Sequence, residues 1–352
     1  MPQRADATQR EEMTPNVRFT DFIKDITPSP TTNARSASAH NAVRDALTSD
    51  DEYKHEVLRT FLGGSYKRKT AIRPVTKGGD TERPDVDIYV VVAGSTWTKT
   101  PNELIEDLYA ALTRNRRSLG ITKIKRNRCS ISLSTGNADM DVSPILDRDA
   151  SGYYRIGNRQ TDEWYETNPE AHTTWSAEVN ADCSGRFNPM VKMVKWTRRE
   201  YPTKSKHPKS IALEALIAKH MDRYEPHYGQ LIHDAFNSIV DAYGIDRLLG
   251  TCPTVDDPAV AGGNLLNGVS GEVFSAFYDK IKSFRDEAAK ALATDDQEKA
   301  TVHWRRIFGP RFPSPKSASH ATPSTLKAAI PMSPLAFPDK PSAPPNKPAD
   351  FA

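Results

Sequence analysis

Residues Leu62 to Val92 read LGGSYKRKTAIRPVTKGGDTERPDVDIYVVV, and the rest of the chain is organised around them. The stretch opens on a Gly63-Gly64-Ser65 turn and closes in a β-branched run, Asp85 to Val92, that reads as a buried strand. Side chains on a strand alternate with period two. Asp85 and Asp87 therefore share one face, while Val86, Ile88, Val90 and Val92 take the other, against a core. Two carboxylates aimed at one point beside a glycine-serine turn make a site for metal ions and phosphates.

Helical spacing of apolar residues outlines helices over 16–26 and 31–47. A third is expected over about 50–60 leading into the turn, where Ser65 can cap the next helix. The loop 74–84 is rich in Gly, Thr and charge. Pro101 starts a helix to about Ser118 with Leu104, Ile105, Leu108, Ala111 and Leu112 inward. Two strands are expected over 123–134 and 137–146; in the second, Asn137, Asp139, Asp141 and Ser143 share a face. From Pro169 the pattern turns helical: 171–182, 188–201, 209–224, 227–249, 271–292 and 295–308. The fold class is therefore α+β, a short mixed sheet with flanking helices and then an all-helical C-terminal domain. The expected organisation is a flexible N-terminus at 1–15, a sheet-bearing core at 16–165, a helical domain at 166–310 and a Pro-rich disordered tail at 311–352. Residues 313–352 hold ten of the chain's 26 prolines, a composition unable to build a core.

Composition narrows the function classes. The chain has 352 residues, and Lys plus Arg is 48 against Asp plus Glu 45, so a net charge of +3 does not argue for nucleic-acid binding. Cys129, Cys183 and Cys252 are odd in number and far apart, which fits neither a disulfide framework nor zinc. No apolar run approaches a membrane span. These readings predict a soluble cytoplasmic protein.

Asp85, Asp87 and a third acid on the neighbouring strand suit Mg²⁺, a hard cation that takes few carboxylates and completes its shell with water and substrate phosphates. Two such ions about 4 Å apart activate an attacking hydroxyl and stabilise a leaving pyrophosphate. The Gly64-Ser65 backbone and hydroxyl would grip terminal phosphates.

The order of these motifs resembles the polymerase-β-like nucleotidyltransferase superfamily: Gly-Ser, then Asp85-Val86-Asp87, then Asp141-Val142-Ser143-Pro144. More narrowly, Phe61 to Tyr66, Thr70 to Pro74 and Asp85 to Ile88 resemble the bacterial cGAS/DncV-like nucleotidyltransferases (CD-NTases, SMODS-type). These are the oligonucleotide second-messenger synthases of CBASS anti-phage defence. Asn188 to Trp196 resembles the family's helix with a phosphate-contacting lysine, and Lys209 to Glu214 the next helix, where a serine meets the donor nucleotide. Asp257-Pro258 with Gly263-Asn264-Leu265 echoes a segment of the related oligoadenylate synthetases.

The resemblance implies an enzyme that joins ATP, GTP or other ribonucleoside triphosphates into a cyclic di- or trinucleotide and releases pyrophosphate. Gly64, Ser65, Lys195 and Ser210 would bind nucleotide. Asp85, Asp87 and Asp141 would be catalytic and hold two Mg²⁺ ions, or Mn²⁺. Asp139 lies on the same face and competes with Asp141; the hydrophobic-proline sequel favours Asp141. Ile211 stands where relatives place a base-stacking Tyr, and the zinc insertion of the animal DNA sensor is absent, so DNA activation is not implied. A CBASS accessory protein acting on the tail is a further implied partner. The rival readings are an RNA- or tRNA-directed nucleotidyltransferase and a non-catalytic nucleotide sensor.

Overall fold

The structure, a computed structural model, describes residues 14–77, 80–93 and 98–315. Helices α1 (Asn16–Ile26) and α2 (Pro30–Ser49) precede strand β1 (Val57–Gly63) and the one-turn helix α3 (Gly64–Lys67). A small hairpin, β2 (Thr76–Lys77) and β3 (Asp80–Thr81), leads to β4 (Asp85–Val92) and α4 (Pro101–Arg114). Strands β5 (Lys123–Arg126), β6 (Ile131–Ser134), β7 (Asp139–Leu146), β8 (Tyr154–Asn158) and β9 (Glu163–Thr167) complete the sheet. Helices α5 (Pro169–Asp182), α6 (Phe187–Glu200), α7 (Ser210–His220), α8 (Tyr228–Leu249), α9 (Gly271–Leu292) and α10 (Gln297–Phe308) come after it.

The main sheet runs β1-β4-β7-β6-β5, with β8 and β9 added beside the far end of β7. Only β4 and β7 pair in parallel, so the sheet is mixed, as the sequence implied. Val86, Ile88, Val90 and Val92 are fully buried and pack with Val43 and Leu47 of α2 and Leu104, Leu108 and Leu112 of α4. The α4 start carries a capping box: Thr100 accepts from the Glu103 N–H, and the Glu103 carboxylate accepts from the Thr100 N–H. On the opposite face Val91, Ile145 and Tyr154 form a small apolar cluster with Phe61 and Tyr89. That cluster closes one end of the face and leaves the Asp85–Asp87 end uncovered by it.

A larger core joins the later helices around Trp196, Phe236, Phe274 and Trp304. Helix α1 also belongs here: Phe19, Phe22 and Ile26 are buried in this core, although the helix precedes the sheet in the chain. Phe312 is buried against the same aromatic cluster, 5.1 Å from Phe19 between ring centroids. Residues 1–13 and 316–352, which hold most of the expected flexible ends, lie outside the described residues.

Three local expectations are corrected. The helix expected over 50–60 is instead turns leading into β1, because Val57, Thr60, Phe61 and Leu62 gain a ladder with β4 that outweighs the helical spacing. The single strand expected over 123–134 folds back on itself as the β5–β6 hairpin, turning at 127–130. Gly63, not Ser65, holds the N-cap position of α3, with no side-chain cap. Strands β8 and β9 have no counterpart among the sequence expectations; their half-buried, mixed sequences lack a clean alternation.

Candidate active site

The parallel register of β4 and β7 sets Asp85 opposite Asp139 and Asp87 opposite Asp141. Four carboxylates thus lie on two adjacent strands, on the face left open by the apolar cluster. Their surroundings tell them apart. Asp139 is ion-paired with Arg83 at 3.4 Å. Asp141 accepts through Oδ1 from the Ser132 hydroxyl and from Asn127 Nδ2 at 3.3 Å, which fixes its rotamer from the β5–β6 hairpin without neutralising its charge.

Asp85 and Asp87 carry no ion pair among the described residues. Asp85 keeps an exposed edge yet lies in a concavity, and its carboxyl is pushed up to about 7 by loss of hydration and by Asp87, Asp141 and Asp139. Burial, then Asp141, also pushes Asp87 up, against Arg68 and Lys195. Among the described residues no three His, Cys, Asp or Glu close into a ready-made metal cage. An open set of hard oxygen donors, crowded and short of positive charge, fits a divalent cation that completes its shell with water and substrate.

The turn before α3 approaches this cluster very closely. Gly64 has φ +61°, and a Cβ built there would lie 1.5 Å from Asp87 Oδ2. Gly64 is required on both counts, since a side chain would be strained and would collide with the carboxylate. The Ser65 carbonyl accepts from the N–H groups of Thr70 and Ala71 at 3.0 and 3.1 Å, tying the turn back on itself. Gly64→Ala is expected to lower turnover at least about 100-fold by displacing Asp87; a steady-state rate within threefold of the parent would contradict this geometry.

The helical side supplies cations. Lys195 on α6 is 6% exposed. Burial holds its ammonium down to about 8, partly offset by Glu214. One turn later, Arg198 donates to the Ser210 hydroxyl at 3.0 Å. Arg199 pairs with Glu82 at 2.9 Å. Ser65, Asp85, Lys195, Arg198 and Ser210 line one cleft of about 390 Å³. A larger cavity of about 670 Å³ adjoins it across Arg83 and Pro84 and reaches Asp139. Of the three catalytic candidates only Asp85 lines the smaller cleft; Asp87 and Asp141 lie beside it on the same sheet face.

Sequence reasoning passed over Glu214, Arg68 and Arg198. Glu214 is wholly buried and accepts from Arg68 Nε at 2.8 Å and Thr70 Oγ1 at 2.9 Å, tying the segment after the Gly64-Ser65 turn to α7. Its i, i+4 spacing from Ser210 was the available signal. Asp257 and Asn264 do not line the cleft. Asp257 accepts from His172 Nε2 at 2.7 Å, which ties its loop to α5, and Asn264 accepts from the Val255 and Leu266 N–H groups, which shapes the loop itself. Trp196 and Trp304 are core residues.

A mixed sheet presenting these carboxylates to a helical lobe is the fold of a polymerase-β-like nucleotidyltransferase. Residues 13–180 match the Second Messenger Oligonucleotide or Dinucleotide Synthetase (SMODS) domain. A cyclic AMP-AMP-AMP synthase of an Acinetobacter sp. is 41% identical over 346 residues, covering 97% of this chain and 98% of that one. A cyclic AMP-AMP-GMP synthase of Enterobacter hormaechei subsp. hoffmannii is 26% identical, covering 85% and 92%. Among solved structures, E. coli MS115-1 CdnC with ATP superposes with a TM-score of 0.69 at 16% identity, covering 85% of this chain and 99% of that one. The chain belongs to the CD-NTase family, nucleotidyltransferases that make cyclic oligonucleotide second messengers.

Proposed function

We propose that this protein condenses ATP into a cyclic tri-AMP messenger with release of pyrophosphate. The observation that carries the choice of product is the 41% identity to the cyclic AMP-AMP-AMP synthase, spread over 97% of the chain. In this reading Asp85, Asp87 and Asp141 hold Mg²⁺, with Mn²⁺ able to replace it. When bound, the metal neutralises triphosphate charge and acidifies the acceptor hydroxyl. The Gly64-Ser65 turn holds the donor phosphates from the sheet side, and Lys195 and Ser210 hold them from the helical side. The acceptor ribose oxygen attacks the α-phosphorus, the bond to pyrophosphate breaks, and Asp141 accepts the hydroxyl proton. Asp141 suits this role better than Asp139, because Arg83 does not occupy it.

One repeat lengthens the chain to a linear trimer, and a final intramolecular transfer closes the ring, releasing the third pyrophosphate. A cytoplasmic setting accords with three free cysteines. Among the described residues no helix is long and apolar enough to cross a membrane. The anti-phage role, and an accessory partner acting on the C-terminal residues, come with the family; an E. coli CdnC was solved as a complex named with HORMA.

The test is incubation with each NTP and all mixtures in Mg²⁺ or Mn²⁺, then phosphatase digestion and mass spectrometry. ATP alone should give a resistant cyclic trimer as the main product. A product needing GTP, or one ending as a dimer, would overturn the assignment of product; a product needing added RNA would overturn the reading as a whole.

Lys195 supplies a pH prediction. Its folded pKa lies below that of an unfolded lysine, so between about pH 8 and 10.5 the unfolded chain binds the extra proton, and stability rises with pH across that window. A bound triphosphate restores the ammonium. Nucleotide binding at pH 9 should therefore take up close to one proton, and uptake should fade below pH 7. Calorimetry in two buffers of different ionisation enthalpy measures this; no uptake at pH 9 would place Lys195 away from the phosphates.

A further inference from the structure

Adjoining the catalytic cleft, with which it shares Pro28, Asn33, Tyr66 and Ala71, is a further cavity of about 570 Å³ that the reaction above does not use. Three lysines line it, Lys67 and Lys69 from the sheet side and Lys192 from α6, and no carboxylate does. Lys192 is half-buried, and loss of hydration lowers its pKa. Its ammonium donates to the Thr27 hydroxyl at 3.2 Å, a partner that brings no negative charge. Lys67 and Lys69 are exposed and make no ion pair among the described residues. Three ammonium groups around one concavity, one of them partly desolvated and none paired with a carboxylate among the described residues, make the cavity electropositive and suited to an anion. The rest of the wall is mixed: Thr27 and Asn33 are polar, while Leu62, Tyr66 and His40, whose ring meets Tyr66 edge-on at 5.7 Å, give it an apolar and aromatic side. Tyr66 also lines the catalytic cleft and comes directly after Ser65, so it forms a shared wall.

We propose that this cavity is a second ligand site for a small nucleoside phosphate. Its phosphates sit among Lys67, Lys69 and Lys192 and its ring against Tyr66, and its occupancy is felt at Ser65. The volume lies in the range of small-ligand pockets. The chemistry of this cavity is independent of which cyclic product the enzyme makes.

The experiment uses the full chain with the catalytic cleft saturated by α,β-methylene-ATP, and titrates AMP, ADP and inorganic pyrophosphate by calorimetry. ADP or AMP should bind at one additional site. Lys67→Ala combined with Lys69→Asn should weaken that binding at least tenfold; Asn tolerates the left-handed backbone of Lys69, φ 61°. Lys192→Met should do the same. Affinity for the ATP analogue should change less than twofold in the Lys67/Lys69 double variant, which alters exposed side chains only. The proposal fails if no binding remains once the cleft is filled, or if the double variant binds as the parent does. Pyrophosphate binding as tightly as ADP would refute the nucleoside part.

Discussion

Replacing Asp85 and Asp87 together by Asn abolishes product formation, by at least about 10³-fold, while leaving the protein as stable as the parent or more so. The two halves of this expectation have one cause. Lost hydration pushes both carboxylates upward, Asp87 and Asp141 add to this at Asp85 and Asp141 at Asp87, and neither has an ion pair among the described residues, although Lys195 partly offsets both. The native fold therefore holds them at a cost that a cation bound as proposed would relieve. Asn keeps the shape and removes the repulsion, along with the charge the reaction needs. Thermal unfolding in EDTA, beside a discontinuous assay of product, separates the two effects. A clear fall in melting temperature would make these residues structural and sink the site assignment; retained turnover would sink it directly.

The second large effect is expected at Glu214. Its carboxylate is wholly buried between Arg68, Thr70 and the neighbouring Lys195, and it joins the turn after β1 to α7. Glu214→Ala leaves the Arg68 guanidinium, 7% exposed, buried without its partner. Breaking such a pair costs about 3–5 kcal/mol, whereas replacing both members by apolar residues of similar size is often neutral. Urea denaturation should show the single variant losing that amount and Arg68→Met with Glu214→Leu recovering most of it. The double variant should still make little product, because the Gly64-Ser65 turn loses its tie to the helical side. A single variant within about 1 kcal/mol of the parent would mean that the pair is solvated in solution.

Much of this site was legible in one dimension. Period-two alternation placed Asp85 and Asp87 on one face and the valines on the other, and the burial of Val86, Ile88, Val90 and Val92 agrees. Gly63-Gly64-Ser65 announced a turn, although not its reason. Local pattern misled where a ladder competed with helical spacing, as at 57–63, and where a short turn divided what reads as one strand, as at 127–130.

What the sequence determined by itself was the set of chemical groups, their alternation, and their order along the chain, since these depend on residue type and backbone period alone. Tertiary structure decided the rest, because it depends on pairings between distant segments. The parallel register of β4 and β7 set four acids side by side, and the Arg83 ion pair on Asp139 and the Ser132 and Asn127 hydrogen bonds on Asp141 give those two different surroundings. Packing alone sent α1 into the helical core, brought Glu214 to Arg68 across 146 residues, and pressed Gly64 so close to Asp87 that no side chain fits between them.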